Sequence, residues 1–449
     1  MNWLLKGEPY AVQSEALKKA AGRRGFGFFM EMGLGKTATA YAEFINLMEA
    51  DLVDMMVIVC PQSLKSVWAA EAEEWDVQFP VTVWPKVDNP PHAITAINYE
   101  ALIGKGGDYL EKVLDLHRVY LVMDESIHVK NPRAKRTKRM VGLAAGAEYV
   151  RILSGAPIVQ SPLDLWGQFR CIGELKGRNP FAFRNHFCVM GGYMGKQIVG
   201  ARNEDELTEL IDGNAFRAKK SDWTDLPAML YTTRNYDLSG DQRKKYSAMH
   251  DDLVVQVQDE VITAPMVITQ MMKLQQVSSG FIIDEQGETH DLVEIKKNPK
   301  LQLVKEIVDE LDSKVIIFAF YKRSIALLGE LFPMESAYIT GNQGQESQEN
   351  EKAAFNKGDK KVMIAQLTAG KYGHTLLGSA VQPCHTSIFF ENNYDLDARI
   401  QAEARNHRHG QHFPVTYIDL IGTKLDRKIT DALQKKQKMA SAIVDAIRS

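Results

Sequence analysis

With 449 residues the chain is too long for a single hydrophobic core, so two or three domains are expected. A hydrophobic share of 45% and a charged share of 25% are ordinary for a soluble globular protein, and no run of 18 apolar residues is present to span a membrane. Lys and Arg (54) nearly balance Asp and Glu (57), so bulk charge selects no polyanionic partner, and any nucleic acid must be held by local basic patches.

The amino-terminal MNWLLKGEPY has no apolar stretch of the signal-peptide kind, which makes the cytoplasm the expected compartment. The first third then alternates short apolar runs with helical patterns. FGFFMEM (26–32) leads into a glycine-rich turn, MMVIVCP (55–61) is apolar and stops at a proline, and SLKSVWAAEAEEW (63–75) reads as helix. VYLVMDE (119–125) ends on two acids and YVRILSG (149–155) follows. Strands alternating with helices predict a parallel sheet whose loops at the carboxyl ends of the strands carry function. From about Pro162 to His290 the rhythm is lost, and loops such as RNPFAFRNHF and VMGGYMGK precede a long helical period, DQRKKYSAMHDDLVVQVQDE. Helical insertions are expected there rather than sheet. The rhythm returns after Asn298 with KVIIFAFY (314–321), the helix SIALLGELF, KVMIAQL (361–367), TSIFFEN (386–392) and VTYIDLIG (415–422), a second α/β unit. The cysteines, Cys60, Cys171, Cys188 and Cys384, lack C-x-x-C spacing, which argues against structural zinc and suits a reducing interior.

The sharpest motif runs from Met30 to Thr37. It follows an apolar strand and opens a helix, as a phosphate loop requires. Gly33 and Gly35 let the backbone N–H groups of Met32, Gly33, Leu34 and Gly35 approach phosphate oxygens, and the helix terminus adds positive charge. Lys36 is expected on the β- and γ-phosphates of ATP and the Thr37 hydroxyl on Mg²⁺; the strict G-x-x-x-x-G-K-[ST] form fails only at Met30. A phosphate site also needs a metal ligand and a water-activating group on a neighbouring strand. Asp124 and Glu125 are the candidates, Asp124 for Mg²⁺ and Glu125 for the attacking water.

Taken in order, these and further segments resemble the Swi/Snf-type DNA translocases of helicase superfamily two, in particular compact prokaryotic or viral members. PYAVQSEAL (9–17) resembles the adenine-reading segment, with Gln13 as its glutamine; EMGLGKT (31–37), DESIHVKN (124–131), LSGAPIVQSPLDLWGQF (153–169) and QAEARNHRHGQ (401–411) resemble motifs I, II, III and VI. CPQSLKSVWAAEAEEW (60–75), INYEAL (97–102), KVIIFAFY (314–321) and TAGKYGHTL (368–376) are similar to the intervening motifs. The resemblance implies two RecA-like P-loop NTPase lobes, parallel sheets flanked by helices, with helical insertions. Residues 1–225 would form the first lobe with an insertion at about 162–225; residues 226–449 the second, with an insertion at about 238–295 and a bracing helix at about 427–447.

It also implies site residues. Arg405 and Arg408 would be arginine fingers that meet the γ-phosphate from across a cleft; at a spacing of three they share a face if that segment is helical. Gly373 and Gln401 would line the nucleotide site. Duplex DNA, forked or branched forms included, would be held through its phosphates by Ser63, Lys65, Asn98, Lys130, Arg133, Lys135, Arg136, Tyr321, Lys322 and Thr368, with Trp68, Tyr99, Arg323 and Thr340-Gly341 as further candidates. The segment KNPRAKRTKR (130–139) holds six Lys and Arg in ten residues. Ile127 stands where relatives carry His, and Ala156 where Thr is usual; both lie on the family's route from ATP to DNA, so coupling is the property these two residues put in question. The expected activity is ATP-driven translocation on double-stranded DNA by a monomer. The alternatives are an ATP-gated DNA clamp with weak turnover and an RNA-directed helicase.

Overall fold

The computed structural model describes residues 2–87, 93–191, 197–223, 226–258, 264–368, 375–408 and 410–446. The chain divides into two compact units, residues 1–225 with 436–449, and residues 226–435. Each is built around a parallel sheet flanked by helices, the RecA-like arrangement expected of a P-loop NTPase.

The strands of the first unit are β1 (Gly25–Met30), β2 (Met55–Cys60), β3 (Val81–Val83), β4 (Ile94–Asn98), β5 (Val119–Met123), β6 (Tyr149–Leu153), β7 (Cys188–Gly191), β8 (Gln197–Ala201) and β9 (Ala215–Ala218). Seven of them form one sheet in the order β3-β4-β2-β5-β6-β1-β9, all parallel. Every residue of β2 and β5 is buried, because helices cover both faces; this is why their sequences are unbroken apolar runs rather than alternating ones. The helices that matter for the site are α1 (Ala11–Ala20), α2 (Lys36–Glu49), α3 (Lys65–Glu74), α4 (Lys105–Leu116), α5 (Lys135–Ala144) and α6 (Asp164–Cys171). α2 is anchored by a buried ion pair. Arg151 of β6 reaches Glu43 with Nε at 2.8 Å and Nη2 at 2.6 Å, the Tyr120 hydroxyl of β5 donates to the same carboxylate at 2.9 Å, and neither charged side chain is exposed.

The second unit contains β10 (Met229–Asn235), β11 (Phe281–Ile283), β12 (Thr289–Asp291), β13 (Lys314–Ala319), β14 (Ser336–Ile339), β15 (Val362–Gln366), β16 (Cys384–Phe389) and β17 (Val415–Ile421). Six form a parallel sheet in the order β10-β17-β16-β13-β15-β14. Among the described residues no helix is long and apolar enough to cross a membrane.

The stretch in which helical insertions are expected rather than sheet is mixed. Helices at Pro180–Phe187, Glu204–Asn214, Gly240–Gln258 and Ala264–Ser279 are joined by two antiparallel hairpins, β7 with β8 and β11 with β12. β9 returns to the main sheet beside β1, and β10 forms an edge of the second sheet. These strands escape a periodicity reading for physical reasons. β9 has four residues, too few to show a period, and β10 is an edge strand with all seven residues exposed.

Candidate nucleotide-binding site

The phosphate loop links β1 to α2. Gly33 and Gly35 both adopt left-handed backbone, at φ +86° and +77°, where a side chain would be strained. A second restriction acts at Gly35: a Cβ there would come within 2.1 Å of the Gln13 amide nitrogen. Gln13 is buried on α1; its carbonyl accepts from the Tyr10 N–H at 2.8 Å and its amide donates to the Gly35 carbonyl at 3.2 Å. α1 is thereby tied to the loop through the residue expected to read adenine. Lys36 donates from Nζ to the Met30 carbonyl at 2.8 Å, and the ammonium lies 3.8 Å from where a Cβ on Gly155 would sit. The loop after β6 therefore rests directly on the phosphate loop. Met32, Gly35, Lys36 and Thr37 are half-buried, Gly33 is exposed and Leu34 is buried.

Asp124 and Glu125 follow β5, which only β6 separates from β1 in the sheet. Asp124 is 8% exposed, and each carboxylate oxygen has one donor: the Trp68 indole N–H on Oδ2 at 2.9 Å, and the Glu125 amide on Oδ1 at 2.9 Å. Its own carbonyl accepts from the Tyr99 hydroxyl at 2.9 Å. Burial pushes the Asp124 carboxyl above the ordinary carboxylate range, while the Trp68 hydrogen bond, the Lys36 charge and the Glu125 amide pull it back. Glu125 holds left-handed backbone at φ +48°, which costs a side-chain-bearing residue on the order of 1 kcal/mol.

These groups fit a magnesium ion. A carboxylate offers about four lone-pair sites, and the two donors on Asp124 leave acceptor capacity for a cation. Among the described residues no cluster of three or more His, Cys, Asp or Glu forms a cage. Magnesium needs none, since it keeps waters and phosphate oxygens around one or two protein ligands; Thr37 and Asp124 would be those ligands.

In the second unit, the helix Leu396–Glu403 ends before the two candidate fingers. Arg405 and Arg408 lie in the turn that follows, so a shared helical face does not describe them. Arg405 is 3% exposed and Arg408 half-buried; the Arg405 carbonyl accepts from the Leu376 N–H at 3.0 Å. Gln401 is buried and donates to Asp397 at 2.9 Å, and Gln411 donates to the Cys384 and Asn406 carbonyls. The helix itself is fixed by Arg399, which sequence reasoning passed over. Its guanidinium reaches Glu403 at 2.7 Å, Asp419 at 2.5 Å and Asn392 at 2.9 Å, all buried. Gly373 lies outside the described residues.

Residues 18–280 match the SNF2-related domain, and residues 299–410 match the helicase conserved C-terminal domain. The chain belongs to the SNF2 family. It is a helicase-like, nucleic-acid-dependent ATPase, as the order of its motifs implied. Putative protein p41 of Acyrthosiphon pisum secondary endosymbiont phage 1 is 22% identical, covering 93% of this chain and 94% of the phage protein. The Xenopus laevis SWI/SNF-related matrix-associated actin-dependent regulator of chromatin subfamily A-like protein 1 is 25% identical over 91% of this chain, and mouse DNA annealing helicase and endonuclease ZRANB3 is 25% identical over 92%. The chain spans only 41% and 38% of those two proteins. The Sulfolobus solfataricus SWI2/SNF2 ATPase core in complex with dsDNA aligns at a TM-score of 0.46 and 21% identity, covering 99% of this chain and 96% of that one.

The DNA candidates of this SNF2 ATPase separate by burial. Arg133, Lys135 and Lys138 are exposed, and no ion pair joins them to another described residue. Arg136 pairs with Glu100 at 3.3 Å, and Glu100 in turn accepts from Asn98 at 3.1 Å. Lys130, Ser63 and Thr368 are half-buried and Lys322 is exposed. Four candidates are internal instead. Lys65 is 5% exposed with its ammonium on the Trp84 carbonyl at 2.9 Å. Tyr321 is 7% exposed and donates to Met272 and Gln275. Trp68 is 1% exposed and serves Asp124. Tyr99 is likewise buried, and Arg323 is bound by Asp291 and Glu330. Apolar stems and aromatic bodies draw these side chains inside, a preference that spacing in sequence does not display.

Proposed function

We propose that this chain is an ATP-driven motor that moves along double-stranded DNA as a monomer. The observation that carries the reading is the convergence at the carboxyl ends of β1 and β5 of a glycine-strained phosphate loop, Lys36, the buried Asp124 and the half-buried Glu125, within the SNF2-related match. Lys36 would grip the β- and γ-phosphates. Thr37 and Asp124 would hold magnesium, which neutralises charge on the phosphoryl oxygens. Glu125 would orient the attacking water and take its proton. Arg405 and Arg408 would neutralise charge on the γ-phosphoryl oxygens in the transition state, such a finger being worth about 10³–10⁵ in rate. Arg133, Lys135 and Lys138 would follow the phosphate backbone without reading sequence. The printed name of the mouse relative, a DNA annealing helicase and endonuclease, supports DNA as the track.

Phosphate release measured with duplex DNA, single-stranded DNA, RNA and no nucleic acid tests the reading, followed by displacement of a third strand from a triplex as the measure of movement. Duplex-stimulated turnover with triplex displacement, both absent from Lys36→Ala, is the expected result. Nucleotide-gated DNA affinity with negligible turnover would identify a clamp instead, and preferential stimulation by RNA would overturn the choice of track.

A further inference from the structure

Ile127 and Ala156 have no polar side-chain atoms, so they cannot join the catalytic acids to the loop after β6 by a hydrogen bond. A different side chain spans that gap. Gln168 of α6 is fully buried. Its carbonyl accepts from the Ser126 hydroxyl at 2.7 Å, and its amide donates to the Pro157 carbonyl at 2.8 Å and the Asp164 carbonyl at 2.8 Å. Ser126 is the residue directly after Glu125; Pro157 lies two residues after Gly155, which rests against Lys36.

Two further observations make α6 a rigid bridge. Asp164, one turn before Gln168, accepts from the N–H groups of Val159, Gln160 and Ser161 at 2.9, 2.7 and 3.4 Å, so the same helix holds the rest of the loop. On its other side α6 packs backbone against backbone: a Cβ on Gly167 would come within 2.0 Å of the Val129 carbonyl. A displacement of Ser126 must therefore carry α6 with it or break hydrogen bonds in a buried setting, where an unsatisfied group is costly.

We propose that Gln168 is a positioning residue that transmits the state of the nucleotide site to the loop 153–161, through Ser126 on one side and Pro157 on the other, replacing a direct link between positions 127 and 156. The inference rests on the reading that ATP is bound at Lys36 and hydrolysed beside Glu125. Ser126→Ala deletes one hydroxyl and is the mild perturbation; Gln168→Leu deletes the whole link.

Two measurements are made on the full chain. The first is the ratio of duplex-stimulated to basal turnover, expected to fall by about fivefold or more in each variant and no further in the double variant, the mark of a shared path. The second is amide hydrogen exchange at Val159, Gln160 and Ser161 with and without a non-hydrolysable ATP analogue. The difference between the two states is expected in the parent and expected to vanish in both variants. Restoring His and Thr through Ile127→His with Ala156→Thr should recover the ratio in the Gln168→Leu background, which a merely destabilised core would not do. An unchanged exchange difference in Gln168→Leu, or additive losses in the double variant, overturns the inference. A parent that binds the analogue but shows no stimulation by any nucleic acid instead refutes the motor reading, and the exchange measurement then decides the inference alone.

Discussion

Trp68→Phe isolates one hydrogen bond at the metal side of the site. The substitution removes the indole N–H that donates to Asp124 Oδ2 at 2.9 Å. It keeps an aromatic ring beside Tyr41, which meets Trp68 edge to face at 5.2 Å, and it leaves the Tyr41 hydroxyl on the Trp68 backbone carbonyl at 2.6 Å. A hydrogen bond to a charged group contributes about 1.5–3 kcal/mol, and groups that orient a metal ligand typically change metal affinity by about 10–100-fold. The carboxylate loses one of its two fixed ends, so the magnesium-dependent part of nucleotide affinity should fall by about tenfold or more. A fluorescent ATP analogue titrated with excess Mg²⁺ and again with EDTA reads this directly. The expected signature is a reduced ratio of the two affinities; truncating an indole in the core weakens both states of the site alike and by itself leaves that ratio unchanged. An unchanged ratio would refute the assignment of Trp68 as the residue that orients Asp124.

Gly35→Ala should abolish detectable nucleotide binding by equilibrium titration, because the new Cβ meets both a left-handed backbone and the Gln13 amide at 2.1 Å. Charge reversal of Arg133, Lys135 and Lys138 together should weaken binding of unrelated duplexes evenly and reduce the slope of log affinity against log salt by about one unit for each phosphate no longer neutralised; an unchanged slope would place DNA elsewhere. Burial holds Lys300 below the ordinary lysine range, its ammonium 3.1 Å from the Ser279 hydroxyl and 4.4 Å from the centre of the Phe390 ring. Its unfolded form binds a proton more readily than its folded form, so stability should rise with pH through the window between the lowered folded value and about 10.4. Lys300→Met should flatten that rise in denaturant titrations taken across the window.

The parts of this site that were legible in the sequence are those in which backbone and chemistry coincide. A phosphate loop must have glycines before a lysine at a helix start, and a pair of acids must close a buried strand; both appear as residue types at fixed spacing. The eight apolar runs of the two sheets became β1, β2, β5, β6, β13, β15, β16 and β17, because strands covered on both faces carry few polar residues. β3, with three residues, was too short for any period to show, and in β4 the buried Thr95 interrupts the apolar pattern. The assignments that failed concern side-chain direction. Lys65 and Trp68 stand in a segment similar to a DNA-facing motif, yet α3 turns both inward, one to a carbonyl and one to Asp124. No spacing rule distinguishes an indole that stacks outside from one that donates inside. Gln168 was invisible for the same reason, since its importance lies in two partners that are distant in sequence.

The buried pair Glu43–Arg151 gives a way to ask what polar interiors do in such a motor. Desolvating two charges is expensive, and an apolar pair of similar volume is often neutral or stabilising, whereas removing one partner costs about 3–5 kcal/mol. Glu43→Leu alone strands a guanidinium that is fully buried between β6 and α2, and should lower the unfolding free energy of the first unit by about that amount. Glu43→Leu with Arg151→Met removes both buried charges and should recover much of the loss in a denaturant titration, short of the hydrogen bond that the buried Tyr120 hydroxyl loses with Glu43. What it should not recover is orientation. The guanidinium reaches two carboxylate oxygens of α2 and the carbonyls of Arg23, Arg24 and Val150, and so fixes the helix whose first turn carries Lys36 and Thr37. Leu against Met has no such directional preference. The double variant should therefore be folded and thermally ordinary while nucleotide affinity falls, and a double variant with parental affinity would mean that apolar packing of α2 alone sets the geometry of the phosphate loop.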